Sequence, residues 1–368
     1  AACAATPASP PGDYPVTLSG GSDNNYYFQR ADGVLHVAKA DQAIDSPEIP
    51  DRVYGEAPFA LTVTASSGLP VTLTSLTPAT VSLQGNTVRI LAAGAASIRA
   101  TQAGNGNYQA ASPVVRSFTI RQAVLTVTAR DAQRLYGQPN PAWELTYAGF
   151  ADGDDTGDLD TLPQAATPAT PASPAGPYAI VPSGGSDDHY AFDYVPGVLT
   201  VGKAPLTATA EDKQRAFGES NPPFTIAYDG FALGEDSAVL DAPPVAACAA
   251  TPDSPPGTYP ITLDGGHDNN YDLLLGEGTL TVGLSPQTIA FDQPADVTYG
   301  DPPFVLSATA SSNLPVAFTS LDEAVATVAG NTVTIVGAGT ATLRATQAGD
   351  ASYAPATPVE RSFQVHKR

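Results

Sequence analysis

Apolar and polar residues alternate in short runs along almost the whole chain, with glycine, proline and asparagine between the runs. In WELTYAGF from Trp143 and FTIAYDGF from Phe224, the alternation of Trp143, Leu145 and Tyr147, and of Phe224, Ile226 and Tyr228, turns one side of a strand into a core. The stretch NNYDLLLGEGTLTV reads as two strands joined by the tight turn Gly276-Glu277-Gly278. VSLQGNTVRI and ATVAGNTVTI read as hairpins, with Gly85-Asn86 and Gly330-Asn331 supplying φ > 0 at the turn. The one stretch of helical character is Glu235 and Asp236 followed by Ala238, Val239 and Leu240, a single turn with its acids at the positive end. Short strands with frequent turn signals predict a mainly all-β chain, with β-sandwiches among its units.

The pattern repeats at two periods. ACAATPASPPGDYPVTLSGGSDNNY, Ala2 to Tyr26, returns 245 positions later as ACAATPDSPPGTYPITLDGGHDNNY, Ala247 to Tyr271, and the match runs on to the end of the chain. Within that period one unit recurs at an offset of 81. It opens with LTVTARDAQRLYG from Leu125 or LTATAEDKQRAFG from Leu206, then Asn140-Pro141 or Asn221-Pro222. The other kind of unit has a Tyr-Gly turn, Tyr54-Gly55 or Tyr299-Gly300, and closes with RSFTI or RSFQV. The chain therefore divides into residues 1–39, the second half of an 81-residue unit; 40–121 and 285–368, two sandwich-like units; and 122–203 and 204–284, two complete 81-residue units. Connections such as Lys203-Ala204-Pro205 restrict the angle between neighbours, so an extended, stiff rod is expected. With about 40 Å per unit, the chain would reach on the order of 180 Å. Residues 1–39 lack their leading strands, so the chain is expected to be cut from a longer array or to be completed by a different subunit.

Composition narrows the function classes. The 35 Pro and 33 Gly accompany 42% hydrophobic residues, which favours a turn-rich β protein over disorder. With 37 acidic and 16 basic side chains the net charge is −21, so a nucleic-acid backbone or an anionic membrane surface would be repelled, and nucleic acid is not expected as a partner. No apolar run reaches the roughly 18 residues of a membrane span, and no basic leader with an apolar core opens the sequence. Membrane insertion within this chain is not expected, and any signal or anchor lies outside it. Two cysteines in equivalent positions, Cys3 and Cys248, cannot staple one unit internally. Each reads as a small buried residue, with an intermolecular disulfide as the alternative.

Candidate chemistry is sparse. The acidic loop with Asp152, Asp154, Asp155, Asp158 and Asp160 offers hard oxygen ligands for Ca²⁺ at alternate positions, as in an EF-hand loop with Gly157 at its sixth place. Thr156 at the fifth place and Pro163 where a bidentate Glu belongs argue for a solvated loop instead, and its counterpart keeps only Glu235, Asp236 and Asp241 in register. Asp23, Asp187-Asp188 and Asp268 recur in Gly-Gly loops and read as Asx residues capping turns. His36, His189, His267 and His366 are scattered without zinc spacing. Lys39 and Lys203 sit at equivalent junctions and read as solvated linker charges, with a Lys–Asn crosslink as the alternative. No nucleophile elbow, phosphate-binding glycine loop or catalytic carboxylate pair is present, so an enzyme is not expected and neither is a cofactor.

The stretch from Gly330, GNTV-I-GAGTATLRATQAG, resembles bacterial immunoglobulin-like domains. The 81-residue unit resembles the MBG repeats of bacterial surface proteins, through its Tyr-Gly-x-x-Asn-Pro opening, the Tyr-x-Gly-Phe step, the Pro-x-Gly-x-Tyr-x-Ile strand and the Asn-Tyr…Gly-x-Leu-Thr-Val ending. The resemblance implies Ig-like sandwiches alternating with MBG-type domains of β-grasp-like fold, in a large secreted or surface-anchored, adhesin-like protein. It implies a location outside the cell or on its surface, and a binding or spacer role without catalysis. The expected function is a stalk or fibre segment that self-associates with its own copies or with neighbouring repeats of a longer chain. The competing expectations are modules that bind a surface glycan or host receptor through tyrosines such as Tyr26, Tyr27, Tyr190 and Tyr271, and accessory domains of a secreted enzyme.

Overall fold

The computed structural model describes all 368 residues and is all-β: its only helical element is a three-residue 3-10 turn, Ser237–Val239. The chain divides into two compact units. One comprises Ala1–Gln133, Pro141–Ala169 and Pro177–Thr200; the other comprises Arg134–Asn140, Thr170–Gly176 and Val201–Arg368.

The second unit holds a complete 81-residue module. Its leading strand Ala204–Ala210 buries every alternate residue, Ala204, Leu206, Ala208 and Ala210, because the sequence alternates small apolar and polar side chains. That strand lies between Ile226–Asp229, antiparallel, and Tyr271–Gly276, parallel. A four-stranded sheet runs Lys213–Ala216, Gly278–Gly283, Gly257–Asp264, Val245–Cys248. Ile261, Leu280 and Val282 pack with Ala210 and Ala250 in the core between them. The strands flanking Gly276-Glu277-Gly278 are therefore not hairpin partners, as their sequence suggested, but belong to different sheets. Glycine is needed at this corner because a Cβ on Gly278 would lie 2.4 Å from the Ala210 carbonyl oxygen.

The sandwich of the same unit packs Val297–Thr298, Val359–His366, Gly339–Thr346 and Ala317–Ser320 against Phe304–Val305, Thr332–Ile335 and Ala326–Ala329. Phe291, Leu306, Val333, Leu343 and Phe363 fill its interior. The first unit has the same sandwich, around Val81, Val88, Ile98, Phe118 and Ile120. There, Val81–Gln84 and Thr87–Ile90 form the expected hairpin, with Gly85 at φ +63°. In the same unit Ala123–Ala129 pairs with Leu145–Ala148 and Tyr190–Val195, in the arrangement of its counterpart 81 residues on. Trp143 precedes this strand and is only half-buried.

Residues 1–39 form a three-stranded antiparallel sheet, Ala2–Cys3, Gly12–Thr17 and Gly33–Val37. Tyr26 to Ala31 make no strand, although the matching Tyr271–Gly276 do. Two things differ: the sequence, YYFQRA against YDLLLG, and the partner, since Tyr271–Gly276 is held by a parallel leading strand and residues 1–39 contain none. Tyr26 is accordingly 75% exposed where Tyr271 is 2%.

Leu35 and Leu280 occupy the same repeat position, the first exposed and the second fully buried. Leu280→Ala is expected to cost about 2–5 kcal/mol, read as faster hydrogen exchange in Gly257–Asp264. Leu35→Ala is expected to change its own sheet by no more than about 0.5 kcal/mol.

Candidate functional site

The most elaborate side-chain constellation is formed by tyrosines around a carboxylate. In the second unit, Ala232 and Glu235 close a turn through Leu233 and Gly234, both at positive φ, with the Glu235 amide donating to the Ala232 carbonyl at 3.0 Å. A left-handed leucine costs about 1–2 kcal/mol, and the conformation presents the Glu235 carboxylate to two phenols. Tyr136 donates to Oε1 at 2.8 Å and Tyr271 to Oε2 at 2.5 Å, while the Tyr271 oxygen accepts the Ala232 amide at 2.9 Å. The rings meet edge to face, Tyr136 on Tyr271 at 5.5 Å and Phe231 on Tyr271 at 5.3 Å. Tyr136 is 6% exposed. It belongs to the Tyr-Gly turn of the preceding module, so this cluster is a junction between successive modules.

The first unit repeats the arrangement with aspartate. Tyr54, from the sandwich, donates to Asp154 Oδ2 at 3.0 Å, Tyr190 donates to the same oxygen at 2.7 Å, and the Ala151 amide donates to the Tyr190 oxygen at 2.7 Å. Tyr54 packs on Tyr190 and on His189, at 5.6 and 4.7 Å between centroids. The shorter aspartate receives both phenols on one oxygen, whereas glutamate spreads them over two.

The glycine after each tyrosine is fixed by the neighbouring module. Gly55 and Gly137 lie at φ +83° and +81°, and a Cβ would meet the Cβ of Ala151 at 2.8 Å and of Ala232 at 2.4 Å. The Tyr-Gly turn of the 81-residue unit is held from behind by a buried arginine. Arg134 donates to Asn140 Oδ1 at 2.7 Å and to the carbonyls of Leu135 and Thr170; Arg215 repeats this with Asn221, Ala216 and Thr251. The bonded acceptors are neutral oxygens, so hydrogen bonds rather than ion pairing satisfy the buried guanidinium.

A second contact completes each junction. Gln122 donates to the Asp187 carbonyl at 2.8 Å, and Lys203, at the equivalent place, donates to the Asp268 carbonyl at 2.7 Å. Lys203 is therefore bonded to the next module and is not a solvated linker charge. Where a sandwich follows, the turn carries Phe217-Gly218 instead. The Phe217 ring sits edge-on to Tyr353 at 5.8 Å, and Ser285 donates to the Ser352 carbonyl at 2.9 Å.

Burial and the adjoining carboxylate push the phenols of Tyr54 and Tyr136 up to about 12. Burial also raises Tyr190 and Tyr271, further than the first two, with Asp154 and Glu235 adding to the rise.

The sequence candidates fall into place around these clusters. The acidic loop does not converge on an ion. Asp154 receives the two phenols, Asp155 and Asp158 accept the amides of Gly157 and Asp155, and the side chains of Asp152 and Asp160 face solvent. No three His, Cys, Asp or Glu side chains are placed to hold a metal ion. The expected helical turn shrinks to 3-10, with Asp236 accepting the Ala238 amide at its N-cap while Glu235 is committed to the junction. Asp23, Asp187 and Asp268 each accept the amides two and three residues on, the Asx role expected of them. Tyr190 and Tyr271 are buried rather than available to a glycan, whereas Tyr26 and Tyr27 are exposed. Cys3 is exposed and Cys248 half-buried against the Ile261 core, and both are free thiols. Sequence reasoning missed Arg134, Arg215, Tyr54 and Tyr136. The signal was the aromatic-glycine pair recurring at 54, 136, 217 and 299, with an acid 100 residues after Tyr54 and 99 after Tyr136.

Gly137→Ala and Gly218→Ala separate the neighbour from the backbone. Both glycines have positive φ, but nothing lies within 4 Å of a Cβ at Gly218. Gly218→Ala is expected to cost about 1–2 kcal/mol, and Gly137→Ala about 1–3 kcal/mol more through overlap with Ala232, by calorimetry. Tyr136→Phe removes a charge-assisted hydrogen bond and is expected to cost about 1.5–3 kcal/mol. Because the folded phenols lie above the ordinary value near 10, their contribution is whole below pH 10 and is lost as pH rises toward about 12. Tyr136→Phe should flatten that alkaline loss in a pH series of unfolding temperatures.

The family model described as "MBG domain (YGX type)" matches residues 125–200 and again 206–281. A comparison with curated proteins found none that matches. Among solved structures, Drosophila N-cadherin EC1-4 is similar at 12% identity and a TM-score of 0.23, over 87% of this chain and 99% of that one. Surface layer protein SbsC, domains 1-6, shows 12% identity and a TM-score of 0.21, over 89% of this chain and 54% of that one. The I-band fragment I67-I69 of titin shows 10% and 0.23, over 90% and 100%. TM-scores of this size carry no argument. The family match covers these two stretches, less than half of the chain: residues 125–200 and 206–281 are tandem MBG-type repeats, and the aromatic-glycine turn of each is the element that meets the next module.

Proposed function

We propose that this chain is a structural stalk segment of an extracellular, surface-associated protein, in which MBG-type and Ig-like sandwich modules act as a spacer. The observation that carries this reading is the tyrosine–carboxylate junction. Tyr54 is bonded to Asp154 and Tyr136 to Glu235, so each turn of one module ends inside the next. A connection of this kind has almost no free linker, and bending it would separate buried donors from their acceptors. A spacer whose task is to hold a distance needs that property; a flexible tether for an enzyme does not. The acidic surface, with a net charge of −21, fits a segment that stays solvated and does not adhere to anionic surfaces. No helix is long and apolar enough to cross a membrane, and the stalk reading requires none.

Small-angle scattering tests this. A maximum dimension on the order of 180 Å is expected, from modules of about 40 Å, and a compact particle would overturn the reading. The double variant Tyr54→Ala, Tyr136→Ala is expected to broaden the distribution of interatomic distances while each module keeps its strand content.

A further inference from the structure

We propose that the Tyr299-Gly300 turn of the second sandwich is a docking surface for a further MBG-type module, and that the aromatic residue before the turn glycine selects the kind of module received. The inference rests on the MBG-type identity of the repeats rather than on the stalk role.

Four such turns occur, at 54, 136, 217 and 299. The two tyrosines with a module beyond them, Tyr54 and Tyr136, each deliver a hydroxyl to a carboxylate of an MBG-type module. The turn that meets a sandwich carries Phe217, which delivers a ring edge to Tyr353 and has no hydroxyl to satisfy. The sandwich has no carboxylate to spare there: Asp350, in the receiving loop, already accepts the amides of Ser352 and Tyr353. A tyrosine in that position would bury an unpaired hydroxyl, so the two residue types report the two acceptors.

Tyr299 belongs to the first class, and its turn is prepared in the same way. Its amide donates to the His366 carbonyl at 2.9 Å, as that of Tyr54 does to Arg121, and Asp301 caps the Thr298 amide where Glu56 caps Val53. Gly300 has φ +95°, and a Cβ there would meet only Arg368 Nη1, at 3.6 Å; at Gly55 the same place is held by Ala151. Lys367 stands 245 positions after Gln122, the residue that reaches the Asp187 carbonyl in the filled junction. Tyr299 itself is 47% exposed. The phenol, the open glycine and the cationic pair Lys367 and Arg368 together match the acidic loop and Asp-loop carbonyls that an MBG-type module presents to Tyr54 and Gln122. Within one copy those acceptors are already filled by Tyr54 and Tyr136, so the occupant is an additional MBG-type module.

The test appends a copy of residues 124–203 after Arg368, which keeps the Tyr54-to-Asp154 spacing, and follows nitration of each tyrosine by peptide mapping. In the 368-residue chain Tyr299 is expected to react at least tenfold faster than Tyr54; in the extended chain its rate should fall to that of Tyr54. An appended copy carrying Asp154→Ala should lose most of that protection. An unchanged Tyr299 rate in the extended chain overturns the docking proposal, whether the appended copy exchanges amide hydrogens as a folded module or as an open chain, because the donor set is proposed to complete that module. Phe217→Tyr tests the selection in the unextended chain: exchange at the Ser285 and Ala354 amides should accelerate about tenfold, and unchanged exchange overturns the selective role of the aromatic. A compact particle in scattering, by contrast, would remove the stalk reading and leave both of these results intact.

Discussion

A buried polar group must find a partner or cost the fold one to a few kilocalories per mole, and here that rule governs how one module meets the next. Each junction into an MBG-type module places two phenols and one carboxylate in a setting largely closed to water, where they satisfy one another. Because the carboxylate holds both phenols, a shift of one module strains more than one bond at once. The remaining features position this set. At the Tyr136 junction Arg134 fixes the turn, Gly137 lets Ala232 of the next module approach, and the left-handed Leu233 aims Glu235. An apolar contact such as Phe217 on Tyr353 is less directional and fits where no carboxylate is available.

The alternation of Leu125 and Val127, and of Leu206 and Ala208, made the leading strands legible, and Gly85-Asn86 marked its hairpin. What alternation cannot convey is which sheet a strand joins. Gly276-Glu277-Gly278 carried the signature of a hairpin turn, yet it is a corner, because Tyr271–Gly276 and Gly278–Gly283 satisfy their backbones with different partners. The acidic loop was visible as chemistry, either a cation site or a solvated loop, but the tyrosine partner of Asp154 was not visible. Asp154 serves a tyrosine a hundred residues earlier, and a local spacing rule for cations has no access to so distant a donor. The buried arginines were the least legible: nothing in the sequence around Arg134 and Arg215 marks them, and only the fold brings neutral oxygens around them.

Residues 1–39 and 246–284 make the same point from the other side. They match closely as far as Tyr26 and Tyr271 and diverge after that, and Tyr271–Gly276 is a strand where Tyr26 to Ala31 is not. The two segments differ in sequence, YYFQRA against YDLLLG, as well as in partner, and the parallel strand Ala204–Ala210 pairs only with the second. Strand formation here goes with both an apolar run, Leu273 to Leu275, and a partner to pair with it.

The parallel pairings have a mechanical side. In the complete MBG-type module the strand that leads in, Ala204–Ala210, runs parallel to Tyr271–Gly276, and the strand that leads out, Gly278–Gly283, runs parallel to Lys213–Ala216. In both sandwiches a short early strand likewise runs parallel to the last one, Arg52–Val53 with Val114–Arg121 and Val297–Thr298 with Val359–His366. Tension applied through the two ends of such a module pulls these neighbours along their length in opposite directions. The hydrogen bonds between them are then loaded together, in shear, instead of being peeled apart one at a time. Each module thus meets a pull along the chain with its paired strands loaded together.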